Sequence, residues 1–247
     1  MVKVLAIDSS SLVAGVAVLD GNKLLYEVYH HHKRNHSETL MPLVEKALIS
    51  CELMLGDIDL FAVSGGPGSF TGLRIGISTI KGLAQAVEKP VIPVPTLDAM
   101  AWSAVCPGAL VCPIMDARRN QVYTSIYRWE GENCVRLKPY SALAVKELID
   151  KLNSYQESIR FIGDGIPVHR GLLLEKMGKS ALFAPPYLAY QRASVIAFLG
   201  LKEAKAGKAI HCRDLKPFYL RLSQAEQKKM QQEEALHETA NSSNDGS

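Results

Sequence analysis

Two aspartates occupy positions where metal chemistry could be done. Asp8 and Asp116 each follow an apolar, strand-like run and precede a polar turn. In a two-lobed fold both would face the cleft between the lobes, where carboxylates commonly hold hydrated Mg²⁺ near phosphates. Aspartate also caps turns through its own backbone. The sequence leaves both interpretations open.

The strongest motif is a glycine-rich stretch, SGGPGSFTGLRIG at residues 64–76, between an apolar run and a predicted helix. Its glycines permit backbone conformations that other residues resist, and Ser69 and Thr71 can cap the helix. Such a loop often approaches a phosphate, although this one lacks the lysine of a phosphate-gripping loop. Together with a second glycine turn after a predicted strand, the motif predicts a nucleotide or phosphate cleft formed by Asp8, Ser9, Gly66, Gly68, Asp116, Gly163 and Asp164.

Four histidines lie close together within residues 30–36. His32 and His36 have the four-residue spacing of zinc ligands on a helix. The cluster straddles a strand end and a basic loop, however, so the spacing need not be helical, and no third ligand is evident. We interpret it as a solvated strand end and predict no metal site. No serine lies in a Gly-x-Ser-x-Gly elbow, and so no catalytic residue is predicted.

Composition narrows the function classes. The chain has 247 residues, of which 47% are hydrophobic and 21% charged, with a formal net charge of +3. These values are ordinary for a globular protein, and the charge is too small to indicate a nucleic-acid binder by itself. Five scattered cysteines without a Cys-x-x-Cys pair favour a reducing compartment. Because neither a signal peptide nor a membrane-length apolar run is evident, we expect a cytoplasmic protein without membrane contact.

One pattern of strands and helices occurs twice, with Asp116 in the place of Asp8. Each copy begins with three strand-like runs, at 2–7, 13–19 and 24–29 and again at 110–115, 122–127 and 134–137. A helical pattern and a further strand, at 60–63 or 159–162, complete each copy. Two such copies predict an α/β fold of two related lobes with mixed sheets. We place the lobes at residues 1–105 and 106–222, and we expect the polar segment 223–247 to be disordered.

The predicted helix at 73–87 is unusual because it contains Gly76 and Gly82. A glycine inside a helix costs about 1 kcal/mol relative to alanine. Small residues allow another helix to approach closely, and such an approach would offset the cost. The helix is therefore a candidate for an interface.

The chain resembles the TsaB (YeaZ) family of bacterial tRNA threonylcarbamoyladenosine biosynthesis proteins. The matching stretches, in order, are LAIDSS, HSETLMPLVEKAL, DIDLFAVSGGPGSFTGLRIGISTIKGLA, PVIPVPTLDAMA, MDARRNQVY, IGDG and FYLRLSQAE. They extend over nearly the whole chain, which departs from the family pattern mainly in its longer polar tail. The resemblance implies the two-lobed actin-like, Hsp70-like, sugar-kinase-like (ASKHA) fold with duplicated mixed-sheet subdomains.

The resemblance also implies a role. TsaB proteins look like degenerate paralogues of TsaD, the subunit that modifies the adenosine beside the anticodon in tRNAs that read ANN codons. TsaD carries a metal-binding His-x-x-x-His on a first-lobe helix, whereas only His36 lies near the start of the matching helix here. The resemblance thus implies a non-catalytic scaffold that pairs with TsaD and the ATPase TsaE and reaches tRNA through the complex. No cofactor is assigned to the chain itself, and ATP or ADP with Mg²⁺ is expected only at the interface of the complex.

Family members pair with TsaD mainly through first-lobe helices, and they self-associate through a similar surface. The resemblance therefore implies an interface with TsaD or a second copy, formed here by Leu40, Leu43, Ala47, Ser69, Phe70, Arg74, Ile75, Gly76, Ile77, Ile80 and Ala84. A bulky residue at Gly76 is then expected to weaken association with TsaD and leave the chain folded. Arg118 and Arg119 are candidate contacts to tRNA or a partner, with a solvated turn as the alternative.

Two other classes stay open. A small-molecule kinase or ATPase of the ASKHA class would use Asp8 and Asp116, and the isolated chain would show saturable ATP turnover. A glycoprotease-type metallopeptidase would hold zinc or iron and lose proteolysis on chelation, but the metal-binding histidine pair is missing.

Overall fold

Two mixed β-sheets with helices packed on them form the structure, a computed structural model that describes residues 1–31 and 35–221. His32 and the predicted polar tail at 223–247 lie outside the described residues. Each sheet has a central strand with an antiparallel neighbour on one side and a parallel neighbour on the other. The predicted duplication of a mixed-sheet subdomain is therefore confirmed.

The first sheet has the strand order β3-β2-β1-β4-β5. Its first three strands form an antiparallel meander, whereas β4 and β5 run parallel to β1. The central strands are buried on both faces because helices cover both sides of the sheet. The strands are β1 (Lys3–Asp8), β2 (Ala14–Asp20), β3 (Lys23–His30), β4 (Leu60–Gly66) and β5 (Val91–Pro95).

The second sheet has the order β10-β7-β6-β11-β12, and β8 pairs with β6 and β9 outside that path. The strands are β6 (Leu110–Asp116), β7 (Gln121–Thr124), β8 (Tyr127–Glu130), β9 (Asn133–Arg136), β10 (Ser141–Ala144), β11 (Ile159–Ile162) and β12 (Ala181–Phe183). The predicted meander of this half was wrong in detail. The run at 122–127 breaks after Thr124, where the Ser125 hydroxyl donates a 2.6 Å hydrogen bond to the Lys138 carbonyl. As a result β9 pairs with β8, and β10 takes the edge beside β7.

The described residues form six α-helices, which cover the sheets. They are α1 (His36–Ser50), α2 (Phe70–Ala86), α3 (Thr96–Ser103), α4 (Val145–Asn153), α5 (Ile166–Met177) and α6 (Ala193–Lys205). Helices α1 and α2 pack side by side on one face of the first sheet, where Val44 and Ile80 contact a core that includes Leu5 and Ile7. Helix α2 begins three residues earlier than predicted, and its N-cap is Ser69, whose hydroxyl accepts a hydrogen bond from the Gly72 amide.

The second lobe was predicted to extend to residue 222, but the chain returns to the first sheet before that residue. Helix α6 packs its small and apolar side, including Ala193, Ile196 and Ala197, on the face of the first sheet opposite α1 and α2. Leu215 is then buried in the core between that sheet and α1. The physical reason is that the second face of the first sheet is apolar and needs a cover. We call the first sheet with α1, α2 and α6 the first lobe, and the second sheet with α4 and α5 the second lobe.

The glycines of α2 accommodate the turn that follows β1. The Ser9 hydroxyl donates a 2.8 Å hydrogen bond to the Gly72 carbonyl, and the Ser69 amide donates one of 2.7 Å to the Ser10 carbonyl. A Cβ atom at Gly72 would lie 2.1 Å from the Ser9 carbonyl oxygen, and one at Gly76 would lie 2.2 Å from the Ser9 hydroxyl. Gly72 therefore makes room for the Ser9 backbone and Gly76 for the Ser9 side chain, where the sequence suggested a partner helix.

Gly76→Ala should destabilise the fold itself, because its new methyl group would overlap the Ser9 hydroxyl. We expect a loss of about 1–3 kcal/mol in the free energy of unfolding, measured by urea denaturation. Gly82→Ala is the matched control in the same helix, since no atom lies within 4 Å of its added Cβ. That change should stabilise the protein by up to about 1 kcal/mol.

The effect of Gly76→Ala should shrink in a Ser9→Ala background, because the overlapping hydroxyl is gone and the next Ser9 atom lies 3.5 Å away. Equal losses for Gly76→Ala and Gly82→Ala would show that the close packing on Ser9 is not what requires a glycine at position 76.

Candidate functional site

A cavity of about 770 Å³ separates the two lobes. Its lining includes the turn after β1, the start of α2, the turn after β6, the residues around the start of α5, and a stretch near the end of the described chain that includes Tyr219 and Arg221. A second hollow of about 500 Å³ adjoins it in the second lobe, since Pro167 and Tyr190 line both. Of the seven predicted cleft residues, Gly68, Asp116 and Asp164 line the larger cavity and Gly163 lines the smaller one.

Asp8 lies behind the cavity, and its side chain caps the turn that follows β1. The residue is only 2% exposed, and its Oδ1 accepts hydrogen bonds from the Ser10 amide (2.9 Å) and hydroxyl (2.7 Å). Its Oδ2 has no hydrogen-bond partner among residues 1–31 and 35–221. Burial raises the pKa of this carboxyl above its usual range, and the Ser10 hydrogen bonds oppose that shift. Asp8 thus follows the capping interpretation of the sequence.

Asp116 and Asp164 meet at the floor of the cleft. The Asp116 amide donates a 3.0 Å hydrogen bond to Asp164 Oδ1, and Asp116 Oδ1 accepts one of 2.9 Å from the Arg118 amide. Burial, together with the nearby charges of Asp116 and Asp8, raises the pKa of Asp164 to about 6, against the opposing effect of hydrogen bonds from backbone amides. The floor of the cleft is therefore acidic, and its Asp164 is protonated more readily than an ordinary aspartate.

Two carboxylates, those of Asp116 and Asp164, line the cavity. Within the described ranges, no three histidine, cysteine, aspartate or glutamate side chains are placed to hold a metal together. The chain's own backbone occupies the space beside the glycines nearest the cleft. Gly66 has φ of +116°, and a Cβ atom there would lie 2.2 Å from the Phe218 carbonyl oxygen. A Cβ atom at Gly68 would lie 2.4 Å from the Ser10 carbonyl oxygen. No chemical step through a metal follows from this arrangement.

The side chains of His31 and His36, two members of the histidine cluster, contact different parts of the chain. His36 Nε2 lies 2.8 Å from the Ser11 carbonyl oxygen, and the His31 ring packs edge-on against Tyr190 at 4.7 Å. Neither contact brings a second metal-binding side chain to the imidazole.

Arg118 and Arg119 lie at the rim of the cleft in a strained turn. Both are exposed, and with Asn120 they adopt left-handed backbone conformations with φ between 53° and 62°. Such conformations are unfavourable for residues other than glycine, so Asp116, which caps the turn, and Gln121, whose carbonyl accepts from the Ala117 amide, must hold it. Neither arginine forms an ion pair within the part of the chain that the structure describes.

The structure corrects the predicted interface on α1 and α2. Six of its members are buried inside the first lobe, namely Leu40, Ala47, Gly76, Ile77, Ile80 and Ala84. The accessible members are Leu43, Ser69, Phe70, Arg74 and Ile75. The error has a physical cause: helical periodicity of apolar residues marks the stripe that faces the core, and a partner meets the other side.

The outward sides of these helices carry apolar residues that the sequence did not single out. Met41 is 48% exposed and Ile49 is 68% exposed on α1, while Ser78 and Gly82 are exposed on α2. We call Met41, Ile49, Arg74, Ser78 and Gly82 the α1–α2 outer face. Tyr123, Tyr219 and Arg221 in the cleft were also missed, although FYLR belongs to a stretch that carries the family resemblance.

The paired sheets and the cleft between them define the class of the fold as ASKHA. A crystal structure of an uncharacterized Pseudomonas aeruginosa protein with similarity to peptidase YeaZ matches it with a TM-score of 0.76 and 25% identity, over 90% of this chain and all of that one. No helix in the described part of the chain is both long and apolar enough to cross a membrane.

Sequence comparison gives the family. TsaB of Bacillus subtilis strain 168, a tRNA threonylcarbamoyladenosine biosynthesis protein, is 32% identical over 91% of this chain and 96% of its own length. TsaB of Escherichia coli K12 is 35% identical over 53% of this chain and 59% of its own. A family model described as TsaD, tRNA N6-adenosine threonylcarbamoyltransferase, matches residues 24–229. This chain belongs to the TsaB (YeaZ) family, which takes part in threonylcarbamoyladenosine (t6A) biosynthesis.

The raised pKa of Asp164 makes stability depend on pH in a defined direction. Between about pH 4 and 6 the folded protein binds this proton more tightly than the unfolded chain does, so the contribution of Asp164 to stability falls as the pH rises through that window. Asp164→Asn keeps an oxygen acceptor for the Asp116 amide and removes the charge. We expect it to exceed the wild type in free energy of unfolding by roughly 1–2 kcal/mol at pH 7.

That advantage should vanish near pH 4, as measured by urea denaturation across the range. Asp150→Asn, at an exposed site on α4, is the control and should show no such trend. A constant difference between Asp164→Asn and the wild type at every pH would contradict the assignment.

Proposed function

We propose that this chain is a non-catalytic scaffold or activating subunit of the bacterial complex that forms t6A in tRNAs reading ANN codons, pairing with TsaD and TsaE in the cytoplasm. The observation that carries the proposal is the packing of the glycine loop. The carbonyls of Phe218, Ser10 and Ser9 lie where Cβ atoms at Gly66, Gly68 and Gly72 would be, so these glycines make room for the chain's own backbone. Family membership supports the t6A reaction as the setting.

The α1–α2 outer face is the proposed docking surface for TsaD. Apolar side chains of α1, above all Ile49, lie exposed there beside an α2 surface of small residues. Such a surface can be covered closely by helices of a partner, and exposed apolar area is what association removes from water. In the absence of TsaD, the same face would pair two copies of this chain.

The deciding experiment is reconstituted tRNA modification with TsaD, TsaE and the synthase that makes threonylcarbamoyl-adenylate, omitting each component in turn. We expect modification to require this chain, and the chain alone to neither modify tRNA nor hydrolyse ATP. Saturable ATP turnover by the isolated chain would instead support the kinase or ATPase alternative, and chelator-sensitive proteolysis would support the metallopeptidase.

Ile49→Arg tests the docking surface. Because Ile49 is largely exposed, the fold should tolerate the change, whereas a buried contact with TsaD should not. We expect the Kd for TsaD to rise at least tenfold, measured by calorimetry. Leu174→Arg is the matched control, because Leu174 is an exposed apolar residue on α5 in the second lobe. An unchanged Kd for Ile49→Arg would exclude this part of the face.

Arg118 and Arg119 are the proposed contact to tRNA phosphates. Both are exposed, and removing their charges together as Arg118→Gln/Arg119→Gln leaves the turn's backbone hydrogen bonds in place. We expect the KM for tRNA in the reconstituted reaction to rise by about tenfold and its salt dependence to weaken. Lys146→Gln/Lys179→Gln removes the same charge from exposed sites elsewhere in the second lobe and should have little effect. If the Kd for TsaD changes and the KM for tRNA does not, the arginines contact the partner.

A further inference from the structure

The last described residues, 216–221, cross the mouth of the cleft from the first lobe to the second; we call them the C-terminal strap. The strap is attached to the first lobe by its backbone, since the Phe218 amide donates a 2.7 Å hydrogen bond to the Gly65 carbonyl. The neighbouring Gly66 must be glycine for the strap to pass, because its Cβ would overlap the Phe218 carbonyl.

The first anchor is Tyr219, which lies on the start of α2. Its ring stacks on Phe70 with 4.7 Å between centroids and 28° between planes. The Arg74 guanidinium lies 3.9 Å over the Phe70 ring, and Arg74 Nε donates a 3.1 Å hydrogen bond to the Tyr219 hydroxyl. Three side chains therefore interlock at the end of the α1–α2 outer face.

The second anchor is Arg221, which reaches the second lobe. Its guanidinium donates hydrogen bonds to the Gln121 side-chain oxygen (2.7 Å) and the Ala117 carbonyl (3.3 Å), at the two ends of the turn that carries Arg118 and Arg119. The Phe218 ring adds a contact with Tyr140, also in the second lobe, at 5.8 Å.

Helix α3 also holds the junction between the lobes, and Tyr140 takes part in these contacts as well as in the contact with Phe218. Asp98 of α3 accepts hydrogen bonds from the hydroxyls of Tyr127 (2.7 Å) and Tyr140 (2.8 Å), and the rings of Trp102 and Trp129 meet at 5.1 Å. Because α3 fixes one side of the junction, the C-terminal strap, which lies across the mouth of the cavity, limits how far the lobes can open.

We propose that the C-terminal strap is a clasp whose anchors, Tyr219 and Arg221, set the angle between the lobes and so position the turn carrying Arg118 and Arg119 relative to the α1–α2 outer face. The Phe218–Gly65 hydrogen bond and the Phe218–Tyr140 contact stay in place in every variant, so the clasp is the part of the link that needs both Tyr219 and Arg221. Removing the Tyr219 or the Arg221 anchor should therefore increase local opening in the opposite lobe as well. Removing both anchors should have no larger effect than removing one.

Hydrogen–deuterium exchange of the full chain tests the clasp without any partner. Tyr219→Ala should speed exchange in the 117–121 turn, which Tyr219 does not touch, by about tenfold. Arg221→Gln should speed exchange at Ser69 and Gly72 in the first lobe to a similar extent, and the double variant should match either single one. Amides of β1 and β4 provide the reference that the fold is intact.

Tyr187→Ala and Arg213→Gln are the matched controls, because both residues are exposed and lie outside the strap. They should exchange like the wild type at these amides. Faster exchange only at each variant's own anchor, or an effect in the double variant equal to the product of the single effects, would overturn the clasp.

The functional consequence rests on the proposed function. At saturating TsaD, the Tyr219→Ala, Arg221→Gln and double variants should lower the rate of tRNA modification by one common factor of about fivefold. A wild-type rate in a variant whose exchange shows an opened clasp would overturn the positioning role. If the reaction needs no copy of this chain, the proposed function fails, and the exchange measurement still decides on the clasp.

Discussion

The rest of the structure depends on the packing of the turn after β1 against the first two turns of α2. Ser9 donates to the Gly72 carbonyl and the Ser69 amide donates to Ser10, so the end of the central strand and the start of the helix are bound to each other. Glycine inside a helix costs about 1 kcal/mol, and these buried hydrogen bonds and the close packing offset that cost. Glycine-rich loops before a helix often bind a phosphate. In this protein the glycines of the loop pack against the chain's own backbone.

The cleft has an acidic floor and a basic rim. The floor contains Asp164, whose burial and acidic neighbours raise its pKa to about 6, and Asp116 beside it, with no described arrangement of ligands for a cation. A phosphate on that floor would meet negative charge, whereas Arg118 and Arg119 lie outward at the rim. The positive groups are placed to meet a large anion across the surface, which suits a subunit that contacts tRNA or a partner better than one that encloses a small phosphorylated substrate.

Much of the fold was predictable because burial leaves a regular trace in the sequence. Four of the five strands of the first sheet, the duplication and the Ser69 cap follow from apolar runs and from the capping chemistry of serine, whereas β5 was not predicted. The strand arrangement after Thr124 was not predictable, since the apolar run continues through Ile126 and Tyr127 although β7 ends at Thr124 and β8 begins at Tyr127. The interface residues were misplaced for a related reason: periodicity identifies which side of a helix is buried, and the chain's own core had already taken the side that includes Ile77.

The strap shows why the cleft could not be predicted from the motifs alone. Its three bridging contacts join Phe218 to Gly65, Tyr219 to Phe70 and Arg221 to Gln121, over sequence separations that no local pattern records. Two of the strap residues, Tyr219 and Arg221, line the cavity between the lobes. For a scaffold this link is an advantage, because a partner that binds two lobes at once gains affinity when their relative orientation is already fixed and no ordering cost has to be met on binding. The strap and the glycine loop share one feature, because in both of them the chain's own backbone packs against glycines beside the cleft.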